Sequence, residues 1–124
     1  MKSITVKQLK DKKACECQVQ LFQDTFGDTL ELKSKDHALK LAKVMAQGFD
    51  FDWASENLLN DFKSYDEAIV PFYKAILEAM APLWKACEEA GVPLYKAYLE
   101  DGAPLYEAYK EEKAQLFAEM YWDQ

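Results

Sequence analysis

The chain contains no arginine, since all fifteen of its basic residues are lysines. Against 22 acidic residues these lysines leave a net charge of −7. Arginine supplies the planar fork that grips phosphates and base edges, so an acidic chain without it is a poor candidate for binding DNA or RNA. We therefore expect no direct nucleic-acid partner.

Long apolar runs are also missing. No segment approaches the roughly 18 uninterrupted apolar residues of a membrane span, and the first residues lack the apolar stretch of a secretory signal. The chain has only three cysteines, an odd number that does not make a disulfide framework and that agrees with a reducing compartment. We expect a cytoplasmic protein without a membrane partner.

The motifs that carry known chemistry are absent from the sequence. There is no glycine-rich phosphate loop, no G-x-S-x-G, no H-E-x-x-H and no calcium loop. Cys15 and Cys17 are two residues apart, which on a helix places them on different faces, and His37 has no zinc-type spacing to either. We expect a non-enzymatic protein with no catalytic residue, no metal and no cofactor.

The first half of the chain is predicted to form four helices, over residues 5–13, 14–26, 34–47 and 53–62, with residues 28–33 as a connector. Thr5 opens the first helix with a capping box, Ser34 caps the third, and Asp52 caps the fourth. A further capping box, Ser64 to Glu67, leads into the second half. Residues 1–66 are thus predicted to form a small N-terminal helical bundle.

The second half consists of five tandem copies of an 11-residue unit, starting at residues 70, 81, 92, 103 and 114. The first four units carry proline at their second position, and all five carry an apolar and then an aromatic residue at the next two. Eleven residues make three helical turns at about 3.67 residues per turn, so each column of the repeat stays on one face. The sequence predicts an all-α protein, in which residues 67–124 form a long amphipathic repeat helix.

The prolines leave two interpretations of this helix. Each internal proline costs about 3 kcal/mol, but the proline column lies near the polar side, which favours one continuous helix bent toward its packed face. In the rival interpretation Gly91 and Gly102, each two residues before a proline, end one short helix and let the next begin with proline in its first turn. The continuous, proline-bent helix is favoured, and the rival stays open.

The chain resembles a group of small uncharacterised accessory proteins of bacteriophages and prophages. The resemblance rests on a segment of the form A-C-x-x-Q-V-x-L-F-x-x-x-F-G-D at residues 14–28, an Asp-Trp-Ala segment at residues 51–54, and the Ala-Pro and aromatic repeat units. It implies a phage or prophage accessory protein in the cytoplasm of a bacterial host. It implies no activity and no catalytic residues.

An amphipathic helix of about 55 residues has more apolar surface than four short helices can cover, and such surface usually contacts protein. We expect part of the repeat to fold back on the N-terminal helices, and the rest to pair with another chain, most simply a second copy, or to bind a partner helix. The expected contact residues are Leu83, Trp84, Leu94, Tyr95, Tyr98, Leu105, Tyr106, Tyr109, Leu116 and Phe117.

The alternative hypothesis is an acidic inhibitor of a basic host protein, such as a defence or nucleic-acid-binding protein. Its surface would comprise Glu89, Glu100, Asp101, Glu111 and Glu112. Binding of this kind weakens steeply with salt, whereas apolar self-association persists. A planar ligand stacked on the aromatic column is a further, open hypothesis.

Overall fold

The computed structural model describes residues 2–91 and 102–124, which are mostly helical with a small two-stranded sheet. Along the chain the elements are β1 (Lys2–Thr5), α1 (Val6–Asp11), α2 (Glu16–Phe26), β2 (Thr29–Leu32), α3 (Lys35–Met45), α4 (Phe51–Leu58), α5 (Phe62–Ala90) and α6 (Ala103–Asp123). The predicted mostly helical character is confirmed. The sheet departs from the all-α prediction.

The sheet forms because the expected connector contains a strand. β2 pairs antiparallel with β1, with Ile4 opposite Leu30 and Thr5 opposite Thr29. Because side chains alternate along a strand, one face of this ladder points inward, and Ile4 and Leu32 are buried there. One short strand is not stable alone, and its partner here is the N-terminal segment, for which the sequence predicted no structure.

Local capping sets most helix ends in the first half as predicted. The Thr5 hydroxyl accepts from the backbone N–H of Gln8 at 3.1 Å, and the Gln8 side chain accepts from the N–H of Thr5 at 2.8 Å. Ser34 caps α3 by accepting from the N–H of His37. Gly27, with a φ of 80°, ends α2 in a conformation that glycine adopts without strain.

Two predicted caps are displaced by one turn or less. Asp50, not Asp52, caps α4 by accepting from the N–H of Trp53, and this earlier start places Phe51 in the core. α4 then ends at Leu58 instead of reaching residue 62. Asp61, not Ser64, caps α5, because its carboxylate accepts from the N–H and the hydroxyl of Ser64 at 3.1 and 2.6 Å.

α5 contains the first two repeat units in one continuous helix that includes Pro71 and Pro82. Both prolines are exposed, which agrees with a proline column away from the packed face. The helix ends at Ala90, and Gly91 follows with a φ of 68°. Gly91 therefore ends a helix, as the rival interpretation requires.

The prediction of one continuous helix from residue 70 to 124 is wrong, because α6 returns along α5. The rings of Tyr73 and Tyr109 lie 5.9 Å apart, although a straight helix would separate them by about 54 Å. Lys113, further along α6, binds Asp52, which also binds Tyr65 near the start of α5, so the two helices are antiparallel. Pro104 lies in the first turn of α6, where its missing N–H costs little.

α6 occupies the centre of the protein. It contacts α3, α5 and α4, in decreasing order of extent. Its buried residues join the same core as side chains of the first half; they are Ala114, Phe117, Ala118 and Tyr121. The boundary expected between residues 66 and 67 lies inside α5, so it does not divide the packing into two independent parts.

The last residues of α6 fasten the N-terminal strand and the α4–α5 turn. Lys2 donates to the backbone carbonyl of Tyr121 at 2.7 Å and to that of Gln124, and the Tyr121 hydroxyl donates to the carbonyl of Ser3 at 2.8 Å. The Gln124 side chain accepts from the N–H of Asn60 and donates to the carbonyl of Leu58. The two ends of the described chain thus stabilise each other.

If α6 is central, truncating Phe117 should be among the most damaging single changes. Its ring lies 5.5 Å from the rings of both Phe51 and Tyr121. We expect Phe117→Ala to lower the free energy of unfolding by about 3–5 kcal/mol, measured by urea denaturation followed by circular dichroism. Val44→Ala is the control, since Val44 is 77% exposed, and should change it by less than about 0.5 kcal/mol. Equal effects of the two variants would contradict the central position of α6.

Candidate interaction surface

α5 presents two neighbouring apolar columns, one buried and one exposed. The buried column comprises Tyr65, Ile69, Ile76 and Met80, whose spacings of four and seven residues place them on one face. The exposed column comprises Val70, Tyr73, Leu77 and Trp84, at spacings of three, four and seven. We call these four residues the contact strip.

The contact strip is a continuous feature of the helix surface. At 3.6 residues per turn its four side chains lie within an arc of about 60° beside the buried column. Val70 is 39% exposed, Tyr73 is 45% exposed and Trp84 is 39% exposed, while Leu77 is half-buried. The apolar face of α5 is thus wider than the area that the rest of the described structure covers.

Other exposed apolar residues do not extend the contact strip. Phe72 is 42% exposed but lies on the opposite flank of the buried column, and Val44 stands alone on α3. Scattered single residues of this kind are common on protein surfaces and need no partner. The contact strip differs because its members are aligned over two heptads.

The contact strip continues along α5 past the level at which α6 begins. Tyr73 lies against Tyr109, and in antiparallel packing Met80, seven residues later, falls level with Gly102, seven residues earlier. Between residues 81 and 90 no side chain that the structure describes is buried; Leu83 is half-buried and Trp84 is exposed. Trp84 therefore lies on the least covered segment of the described helix.

The structure separates the ten predicted contact residues into three groups. Trp84 is exposed, whereas Leu83, Leu105, Tyr106 and Tyr109 are half-buried. Phe117 is buried in the core, where a partner cannot reach it, and Leu116 is half-buried and packs against that core. Leu94, Tyr95 and Tyr98 lie outside the described residues.

The ten predicted contact residues do not include three members of the contact strip, which are Val70, Tyr73 and Leu77. The signal was available for Tyr73, which occupies the same repeat column as Trp84. In the structure the buried side chains of the last repeat unit join the core of the first half of the chain.

The predicted acidic surface is not one patch among the described residues. Glu89 is exposed on α5, 16 residues beyond Tyr73, which corresponds to about 24 Å along the helix. Glu112 is exposed on α6 one turn from Tyr109, near Tyr73. Glu111 is half-buried, and Glu100 and Asp101 lie outside the described residues.

A polar junction joins the base of α5 to α4 and α6. The Asp52 carboxylate accepts from Lys113 Nζ at 2.8 Å and from the Tyr65 hydroxyl at 3.2 Å. Lys113 Nζ also lies 4.6 Å from the centre of the Tyr109 ring, a cation–π distance. This junction fixes the register of α5 on α6, and thereby the side of α5 that stays uncovered.

Two cavities among the described residues are small by the standard of ligand sites. One, of about 60 Å³, lies in the core between α2, α3 and α6 and is lined by apolar side chains such as Phe22 and Leu41. The other, of about 230 Å³, lies between Gln18, Gln47 and Lys110. Pockets for drug-sized ligands usually hold about 300–1,000 Å³. The contact strip is therefore a better candidate for a binding site than either cavity.

Within residues 2–91 and 102–124, no helix combines the length and the apolar character that a membrane span requires. The same residues bring together no group of three or more histidine, cysteine or acidic side chains suited to hold a metal ion. Comparison of the chain with protein-family models, with curated proteins and with solved structures finds no match.

The tyrosines at the junction and in the core predict how stability depends on alkaline pH. Burial raises the pKa of Tyr65, Tyr109 and Tyr121 above the usual value of about 10, and the charge of Asp52 raises that of Tyr65 and Tyr109 further. The unfolded chain therefore loses these protons at lower pH than the folded protein does. The contribution of these three tyrosines to stability should be constant below about pH 10 and should fall as the pH rises above it.

The measurement is urea denaturation between pH 8 and pH 11, with Tyr65→Phe compared with the parent. The variant should show a shallower fall above about pH 10, because one buried hydroxyl no longer ionises on unfolding. Tyr73→Phe, at an exposed position, is the control and should follow the parent. An unchanged slope for Tyr65→Phe would contradict the burial of that hydroxyl.

Proposed function

We propose that this protein is a non-enzymatic interaction protein that self-associates through the contact strip of α5. The observation that supports the proposal is the second apolar column on α5, aligned over two heptads and exposed beside a column that is already buried. In the monomer the side chains of this column stay partly exposed to water, whereas a second helix packed on the column buries them.

A second copy of the chain fits the contact strip because the two ends of the strip are equally spaced from its centre. Leu77 lies seven residues from both Val70 and Trp84. In a two-fold antiparallel arrangement centred on Leu77, the small Val70 of one copy faces the large Trp84 of the other. The arrangement therefore pairs a small side chain with a large one at each end of the seam.

The dimensions of the strip indicate a weak association. From Val70 to Trp84 the helix rises by only about 21 Å, so with a helix about 10 Å wide the strip covers roughly 200 Å², well below the roughly 800 Å² per partner of a standard stable interface. Each copy also carries a net charge of −7, so the two copies repel each other at low ionic strength. We expect a concentration-dependent dimer that salt strengthens.

The alternative, an acidic inhibitor of a basic host protein, has less support from the described residues because Glu89 and Glu112 lie far apart. Binding of that kind should weaken with salt, the opposite of the dependence expected for apolar self-association. From the resemblance to phage and prophage accessory proteins we retain, as part of the proposal, that the protein acts in the cytoplasm of a bacterial host.

The experiment is the native mass by light scattering over a range of protein concentrations, at low and at high salt. We expect the mass to rise toward that of a dimer with concentration, and to rise further at high salt. The triple variant Val70→Ser, Tyr73→Ser and Trp84→Ser should remain monomeric at every concentration. Its helical content, measured by circular dichroism, should stay close to that of the parent, because Val70 and Trp84 are exposed and Tyr73→Ser removes one ring contact, that with Tyr109.

Val44→Ser is the matched control, since it removes a more exposed apolar side chain outside the contact strip and should dimerise like the parent. If the parent is monomeric under all conditions, or if the triple variant dimerises as well as the parent does, self-association through the strip is wrong. Loss of a dimer at high salt would also contradict apolar self-association, which salt should strengthen.

A further inference from the structure

Cys15 and Cys17 are brought together by the way α2 begins. Cys15 is the residue before the first helical residue, with an extended backbone (φ −66°, ψ 150°), and Cys17 lies in the first turn. The rule that residues two apart on a helix diverge therefore does not apply to this pair. The two sulfur atoms lie 2.9 Å apart and both side chains are exposed, which corrects the expectation that they point to different faces.

This geometry is close to that of a disulfide. The sulfurs need to approach by only about 0.9 Å, from 2.9 Å to the ~2.05 Å of an S–S bond. Both thiols are open to solvent, so a reagent can reach either sulfur without unfolding of the chain. Nothing in the described packing opposes the approach, because neither side chain belongs to the core.

The two thiols are not equivalent. Cys15 stands where the first N–H groups of an 11-residue helix point outward, a position that favours a negative charge. The hydrogen bond from Cys17 is the main cause that lowers the pKa of Cys15, the N–H of Gln18 adds to it, and the charge of Asp50 opposes it. The same contact raises the pKa of Cys17.

We propose that Cys15 and Cys17 form a reversible dithiol–disulfide site that exchanges with small-molecule disulfides. The Cys15 thiolate attacks one sulfur of the small disulfide, forms a mixed disulfide and releases the first small thiolate. Cys17 then loses its proton and attacks the Cys15 sulfur, which closes the Cys15–Cys17 bond and releases the second thiolate. The protein loses two electrons and two protons, and the small disulfide becomes two thiols.

The site has a structural connection to the rest of the fold through Gln18. The Gln18 side chain donates to the carbonyl of Gly48 at 3.2 Å and accepts from the N–H of Asp50 at 2.8 Å. It thereby ties the first turn of α2 to the segment that caps α4. Oxidation of Cys15 would therefore take place next to the helical turn from which Gln18 makes these two hydrogen bonds.

The test uses the Cys87→Ser protein, so that only the two thiols of interest remain, equilibrated with glutathione and glutathione disulfide at a series of ratios. After an acid quench and alkylation with N-ethylmaleimide, intact mass is measured without reduction. As the proportion of glutathione disulfide rises, we expect both alkylation sites to disappear together in a single two-electron transition. The oxidised product should have the mass of one chain without bound glutathione. Persistence of both sites at every ratio, a stable glutathione adduct, or a disulfide formed only between chains would each overturn the proposal.

Single variants in the same background assign the two roles. Cys17→Ser should accumulate the mixed disulfide on Cys15, because the resolving thiol is missing while the serine hydroxyl can still donate a hydrogen bond to the Cys15 sulfur. Cys15→Ser should react with glutathione disulfide at least about fivefold more slowly, since Cys17 lacks the position before the helix. Equal rates for the two variants would overturn the assignment of Cys15 as the attacking thiol. Circular dichroism checks that both retain the parental helical content.

Discussion

The packing of α6 into the core is the interaction on which the rest of the structure depends. Its buried side chains contact residues from the first half, and its last turn binds β1, the α4–α5 turn and, through the Asp123–Lys35 ion pair, α3. The short elements of the first half share one core only because this helix passes between them. A chain whose N-terminal helices folded separately from its repeat would lack that centre.

The same repeat pattern serves two purposes in this arrangement. In α6 the apolar columns of the final unit, which has no proline, are buried against side chains from the first half of the chain. In α5 the corresponding columns are only partly covered, since one helix and the junction at Asp52 occupy one side. The apolar face of α5 is wider than the surface that α6 and α4 cover, and the contact strip is the uncovered part of that face. The association that we propose would bury this part.

Local signals predicted local structure well. The capping box at Thr5, the cap at Ser34 and the stop at Gly27 gave α1, α2 and α3 within a few residues. Where two aspartates offered equally good caps, as Asp50 and Asp52 do, the choice depended on the burial of Phe51, which only the tertiary structure decides. The β1–β2 pairing was missed for the same reason, because the partner of β2 lies 24 or more residues away in sequence.

The direction of the second half was the largest error, and its cause is physical. An 11-residue period predicts helix but contains no information about where the helix ends, and Gly91 supported only the interpretation in which it ends. The contact between Tyr73 and Tyr109 and the bond between Asp52 and Lys113 favour termination, and these pairs cannot be read from periodicity. The Cys15–Cys17 contact was missed because the helix was assumed to include both residues.

The return of α6 along α5 is tested most directly by a distance between the two helices. Spin labels at Lys74→Cys and Lys110→Cys, in a protein whose natural cysteines are serine, report this distance by pulsed electron paramagnetic resonance when labelled protein is diluted with unlabelled protein. The antiparallel arrangement predicts a separation well under half of the about 54 Å that 36 helical residues would span. A distance near that length would contradict the fold-back, and with it the contact strip.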